Sequence, residues 1–322
     1  MRRAFCVPGE SYLGVLDALY DVRDTVELIV NRQEGGAAFM AEAHGKLTGE
    51  PGICLVTRAP GACNAAIGVH QAMQDSTPMI LFIGQVGNDF VEREAFQEVD
   101  YRRMFAPLCK WVAQIDRADR VAEYVARAFQ VATSGRPGPV VLALPEDMLA
   151  ALVETESVAK PHATPLQRYT AIQAAPSAAD MQRLHAVLSK AKNPFAILGG
   201  AGWTQAAAQQ MQAFLEAWQL PFGGAFRFCD VIDNAHPNYA GDVGIGINPK
   251  LAARVKQADV LLTIGARLGE MTTSGYTLID SPRPQQTLIH VYNQPDDLGR
   301  VYQGDLMVAS GMPQIAAELA AV

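Results

Sequence analysis

Short apolar runs alternate along this chain with longer segments whose apolar residues are spaced for helices, and Gly, Pro, Asn and Asp punctuate the joints. A short run bounded by turn residues reads as a buried strand, and a longer segment rich in Ala, Met and Glu reads as a helix. Arg3–Val7 is then a strand running into a Pro8-Gly9 turn, with Ser11 capping a helix through Tyr20. Val26–Val30 is the next strand, followed by a polar turn and a helix. Glu34 stands at that switch from strand to helix, ahead of Gly35 and Gly36. Ile53–Thr57 is a third strand, its helix running through Met73 to the stop signal Asp75-Ser76-Thr77-Pro78. Met79–Ile83 is a fourth, ending at Gly84-Gln85-Val86-Gly87. The polar stretch Asn88–Asp100 is long for a connection, which marks it as a functional loop. A strand Trp111–Ile115, a helix Arg120–Thr133 and a strand Pro139–Leu144 complete the first unit.

From about Leu152 to Ala179 the rhythm lapses, and Pro161, Pro165 and Pro176 lie among Ala, Thr, Ser and Gln, as in an interdomain linker. A second unit follows. Its helices are Ala179–Ala191, Gln205–Trp218 and Pro313–Leu319, and its strands Pro194–Leu198, Asp259–Ile264, Thr287–Tyr292 and Leu306–Val308. Strands alternating with helices predict parallel sheets covered on both faces. The fold class is therefore α/β, with two Rossmann-like parallel-sheet units: residues 1–151, a linker over 152–178, and residues 179–322.

The length of 322 residues agrees with two domains of ordinary size. A formal net charge of −7 without any basic run argues against a nucleic-acid surface. No apolar stretch approaches the roughly 18–20 residues of a membrane span. The start, MRRAFCVPGE, has no apolar core of a signal peptide before Pro8. The five cysteines show no C-x-x-C spacing and mostly lie in apolar runs, which reads as reduced thiols in a cytoplasmic protein. The histidines are scattered and none is paired with cysteines, so a zinc site has little support.

Chemistry concentrates at four strand ends of the first unit: Pro8-Gly9-Glu10, Gln33-Glu34-Gly35-Gly36, Pro60-Gly61-Ala62 and Gly84-Gln85. In open α/β sheets, ligands sit in the crevice beyond the carboxyl ends of the strands. Glycine there lets backbone approach a flat ligand, although tight turns ask for glycine on their own account. A carboxylate at a helix N-terminus, such as Glu34, also serves as a plain favourable end group. In the second unit, Gly199-Gly200-Ala201-Gly202 is part of a dinucleotide loop but lacks the full G-x-G-x-x-G spacing, which leaves a nicotinamide-binding protein as a minor alternative.

The segments VPGESYLGVLDAL, NRQEGGAAFMAEAHGKLTG, VTRAPGACNAAIGVHQAMQDSTPMILFIGQV and AFQEVDYRRMF, in this order, resemble the thiamine-diphosphate enzymes of the acetolactate synthase group. Over residues 1–151 the resemblance is to their pyrimidine-binding domain; LGGAGW and LLTIGARLGE resemble their central domain. It implies that Glu34 is catalytic, hydrogen-bonding the aminopyrimidine ring so that a ring nitrogen can take the proton from the thiazolium C2. It implies that Pro8, Gly9, Gln33 and Gly61 line the pyrimidine pocket. Gln97, beside Phe96, would meet substrate or intermediate, and Lys110 would lie near the substrate entrance. The implied substrates are 2-keto acids, decarboxylated and then joined to a second molecule.

The chain also departs from the pattern. On this resemblance it is expected to lack both the third domain, whose Gly-Asp-Gly and later Asn hold Mg2+ and the diphosphate, and the helix usual before the first strand. Met271 stands where the group carries an arginine for its second keto acid, and Ala59 where glycine is usual. GDVGIGINP and VYNQPDD differ from the group's flavin-binding segments, which sets FAD or an adenine nucleotide in the central domain as a secondary expectation. A 2-keto acid decarboxylase or 2-hydroxyacyl lyase is the alternative activity, and a non-catalytic subunit or binding module the alternative class. The expected partner is a homo-oligomer, or a second chain supplying the diphosphate-binding domain.

Overall fold

The structure, a computed structural model, describes residues 2–153 and 169–321. Two compact units emerge, Met1–Ile172 and Gln173–Val322. Of the expected linker, residues 154–168 lie outside the described residues.

The first unit runs β1 (Arg3–Cys6), α1 (Leu13–Asp21), β2 (Glu27–Val30), α2 (Glu34–Thr48), β3 (Gly52–Val56), α3 (Ala59–Asp75), β4 (Met79–Gln85), α4 (Tyr101–Phe105), β5 (Trp111–Gln114), α5 (Val121–Thr133), β6 (Pro139–Pro145) and α6 (Glu146–Ala150). The six strands form one sheet in the order β2-β1-β3-β4-β6-β5, and every pairing is parallel. Every residue of β3 and β6 is buried, as expected of strands covered on both faces. One face packs Ala37, Ala38 and Ala41 of α2 and Ala62, Ala65 and Val69 of α3 on Phe5, Cys54 and Leu81. The other packs Tyr12, Ala128 of α5 and Met148 of α6 on Ala4, Ile53 and Leu142.

The small residues of α2 and α3 are required by how closely these helices approach. A Cβ on Gly68 would stand 2.5 Å from the Cβ of Ala38, and one on Gly52 only 1.8 Å from the Ala41 carbonyl oxygen. The alanines bring little area each, so the face is held by closeness of packing, where even one extra methyl is felt. α2 begins with Gln33 as its cap, the side chain accepting from Gly36 N, and ends at Gly49 in the left-handed conformation, φ 70°. Ser11 is not the cap expected of it. It is buried, and its hydroxyl lies 2.9 Å from Thr57 Oγ1 while the helix proper starts at Leu13.

The second unit contains α7 (Ala178–Leu188), β7 (Phe195–Leu198), α8 (Gln205–Ala217), β8 (Phe222–Ala225), β9 (Tyr239–Val243), α9 (Pro249–Lys256), β10 (Val260–Ile264), β11 (Thr287–Tyr292), β12 (Leu306–Ala309) and α10 (Met312–Ala320). Its six strands lie in the order β12-β11-β10-β7-β8-β9 and are also parallel. β8, β9 and α9 were not expected from the pattern. β8 reads FGGA, and β9 reads YAGDV and shifts register against β8, so neither shows an apolar run.

Candidate functional site

In the first sheet the chain steps from β1 outward to β2, then returns across β1 to β3. Loops leaving neighbouring strands in opposite directions open a crevice at their carboxyl ends, here between β1 and β3. Three segments meet there: Pro8-Gly9 after β1, Gln33-Glu34 at the start of α2, and Thr57–Gly61 entering α3.

The floor is tight. A Cβ on Gly9 would lie 2.6 Å from Thr57 Cβ, and one on Gly84 2.0 Å from Ser11 Oγ. Ser11 and Thr57 share a hydrogen bond, and the Tyr12 hydroxyl donates to the Val7 carbonyl, so the loops after β1 and β3 are tied together. Above this floor stands Glu34, the first helical residue of α2. The Asn64 side chain, one turn into α3, donates to Glu34 Oε2 at 2.9 Å. The other oxygen, Oε1, lies 3.5 Å from where a Gly61 Cβ would be. One carboxylate oxygen is thus held by a neutral donor, and the other faces backbone stripped of side chain. Burial first, then the neighbouring thiols, with the smallest contribution from Glu34, push the Tyr12 hydroxyl and the Cys54 thiol well above their ordinary ranges.

Pro8, Gly9, Gln33, Glu34 and Gly61 therefore gather at one sheet edge, with the Gln33 side chain spent on capping Gly36 N. Phe96 and Gln97 join them. Ala59 N donates to the Gln97 carbonyl at 3.2 Å, which lays the loop on the first turn of α3, and Phe96 is 72% exposed beside it. Lys110 does not join them. It precedes β5 and so lies at the opposite, amino-terminal edge of the sheet. There its ammonium donates to the carbonyls of Val131 and Ser134 at 2.5 and 2.7 Å, closing the end of α5. Desolvation, with Arg136 nearby, pulls its pKa down to about 8. The strand boundary was legible, but not the direction in which a long side chain before it turns.

Two residues of the edge were not anticipated, Asn64 and Arg58. Asn64 lies on the exposed side of α3, and nothing in its spacing distinguishes it from a surface amide. Arg58 pairs with Glu146 at the start of α6.

In the second unit, the loops after β7 and β10 touch through their backbones. A Cβ on Gly200 would stand 2.0 Å from the Gly265 carbonyl oxygen, and one on Gly265 2.1 Å from that of Gly199. Both glycines have positive φ, 75° and 77°, so loop-to-loop contact by itself requires them. Among the described residues, no three His, Cys, Asp or Glu side chains gather as a cation site, and no helix is long and apolar enough to cross a membrane.

Residues 1–104 match the family described as thiamine pyrophosphate enzyme, N-terminal TPP binding domain. Residues 181–319 match thiamine pyrophosphate enzyme, central domain. Over 315 residues the chain is 30% identical to an acetolactate synthase of Bacillus subtilis, covering 97% of this chain and 53% of that protein. Over 303 residues it is 29% identical to the acetolactate synthase isozyme 2 large subunit of Escherichia coli, covering 94% and 53%. A probable acetolactate synthase large subunit of Methanocaldococcus jannaschii is 28% identical over 317 residues, covering 98% and 53%. The chain thus spans about half the length of the curated relatives it matches. It belongs to the thiamine pyrophosphate enzyme family, and the two matches, one in each unit, are to that family's N-terminal and central domains.

Proposed function

We propose that the carboxyl edge of the first sheet is the pyrimidine-binding half of a thiamine diphosphate site, and that the complete protein decarboxylates a 2-keto acid and joins the remainder to a second substrate, as an acetolactate synthase does. The observation that carries this reading is the Glu34 carboxylate, steadied by Asn64 and flanked by Gly61. The residues suit the group. A flat ring needs backbone without side chains beside it, which Gly9 and Gly61 provide, and a carboxylate to accept or share a proton at a ring nitrogen, which Glu34 provides. When bound, thiamine diphosphate supplies the electron sink for breaking the bond to the substrate carboxylate. Glu34 holds the proton-bearing end of the ring, Asn64 keeps the carboxylate turned toward it, and Gln97 and Phe96 face the substrate side. A general acid or base placed this way contributes roughly 10²–10⁴-fold.

Magnesium and the diphosphate are assigned to a further domain or chain, as the resemblance to the acetolactate synthase group implies. A flavin or adenine nucleotide in the second unit draws support only from glycines that the loop contact already explains. α2 leaves Phe39 and Met40 about two-fifths exposed and Leu47 87% exposed, and α3 leaves Ile67 56% exposed. Exposed apolar side chains of this kind suit burial against a second chain, which is the support for the proposed homo-oligomer. The described cysteines are all free thiols, in keeping with the proposed cytoplasmic location. A 2-keto acid decarboxylase or lyase is the second reading, favoured by the side chain of Met271, 39% exposed where the acetolactate synthases carry arginine. The test is product analysis with pyruvate, thiamine diphosphate and Mg2+ on the chain combined with its diphosphate-binding domain. Acetolactate supports the first reading, acetaldehyde the second, and neither product removes both.

A further inference from the structure

Arg58 has no part in the reading above, yet it crosses the site's edge. It is the residue before α3, and its side chain passes the end of β4 to reach Glu146, two strands away in the sheet order. Its side chain is only 13% exposed. One terminal nitrogen pairs with the Glu146 carboxylate, and Nη1 donates to the Phe96 carbonyl at 3.5 Å. One residue on, Ala59 N donates to the Gln97 carbonyl at 3.2 Å. Gln97 has φ 64°, a left-handed conformation that a non-glycine residue keeps only where its surroundings impose it.

The start of the same loop is tied to the neighbouring carboxylate. Asp147 Oδ1 accepts from Asn88 N at 3.1 Å and from the Asn88 side chain at 3.4 Å. Within the loop, the Glu98 carboxylate accepts from Glu92 N at 2.8 Å and Ala95 N at 3.2 Å. Gln85 Nε2 donates to the Val99 carbonyl at 2.9 Å. Two adjacent acids after β6 thus hold the loop at its beginning and, through Arg58, at the residues that meet substrate.

We propose that Arg58 is a positioning residue: its pair with Glu146 fixes the Phe96-Gln97 backbone over the first turn of α3 and so sets where Gln97 stands in the site. The physical reason is coupling. A guanidinium this buried is tolerable only while its carboxylate and carbonyl partners stay in place, so ion pair and loop closure form together. The inference rests on the reading of Gln97 as a substrate contact, but its test reads the loop alone.

The experiment is amide hydrogen exchange on the full chain, comparing wild type with Arg58→Ala, Arg58→Lys and Glu146→Gln. Ala59 N is the first amide of α3 and has no acceptor within the helix, so its protection comes from the Gln97 carbonyl. Arg58→Ala should speed exchange at Ala59, Glu92 and Ala95 by about tenfold or more while amides of β3 and β4 keep their rates. Arg58→Lys, which keeps the charge, should restore part of that protection. Should Arg58→Ala fail to fold, Glu146→Gln makes the same comparison with the side-chain shape kept. Unchanged exchange at Ala59, or a uniform rise through β3 and β4, overturns the proposal. Absence of thiamine diphosphate binding by the chain combined with its diphosphate-binding domain would overturn the cofactor reading and leave this exchange pattern untouched.

Discussion

Gly61→Ala separates the needs of the fold from those of the site. The new methyl would stand 3.1 Å from Thr57 Cγ2 and 3.4 Å from Val56 Cβ, which asks the neighbours to yield by a few tenths of an ångström. Overpacking on that small scale costs about 1 kcal/mol, at the low end of what inserted methyls cost. Against it, alanine is favoured over glycine within a helix by about 0.8–1.0 kcal/mol. The two nearly cancel, so stability should stay within about 1 kcal/mol of wild type. The site fares differently. The same methyl lies 3.5 Å from Glu34 Oε1, on the side of the carboxylate where the ring must approach, and nothing offsets its bulk there. Losing even about 1.4 kcal/mol of ring contact weakens binding tenfold. The assay pairs urea unfolding with an NMR titration by 4-amino-2-methylpyrimidine, the ring portion of the cofactor. Unaltered ring affinity in a folded Gly61→Ala protein would refute the placement of the ring beside Glu34. A large loss of stability would refute the packing argument.

The same geometry makes further predictions. Gly68→Ala places a methyl 2.5 Å from Ala38 Cβ and 2.9 Å from its backbone carbon, so α2 and α3 must part. A net loss of about 1–3 kcal/mol in urea unfolding is expected, and an unchanged midpoint would contradict the close-packed face. Lys110 has its pKa lowered from 10.5 to about 8 by burial, so charging it opposes folding. Between those values the unfolded chain binds more protons, and this contribution to stability rises with pH. The stability difference, wild type minus Lys110→Met, should therefore climb from pH 8 to 10.5, and a flat or falling difference would contradict the assignment.

Much of the fold was legible because buried parallel strands carry the clearest pattern. The expected strand Thr287–Tyr292 is β11 without change, and Met79–Ile83 extends only to Gln85. The missing elements are those whose residues do not look like their structure, FGGA as β8 and YAGDV as β9, or that are too short for a period to register, α4 and α6 with five residues each and α9 with eight. Glu34 could be picked out because a lone carboxylate between a strand and a glycine pair is conspicuous. Asn64 and Arg58 could not, since what distinguishes them is the residue each reaches, 30 and 88 positions away. Lys110 shows the converse. The family resemblance implied a place near the substrate entrance, while its flexible stem turns to the carbonyls that end α5.

The claim that Glu34 receives the cofactor's pyrimidine is tested most directly by mapping that same ring fragment onto the chain by heteronuclear NMR, in wild type and in Glu34→Gln. Shifts should concentrate on Gly9, Glu34, Gly61 and the Asn64 side-chain amide, and they should largely vanish in the variant while its spectrum otherwise stays native. Shifts confined to the second unit, or equal binding with glutamine at position 34, would contradict the account.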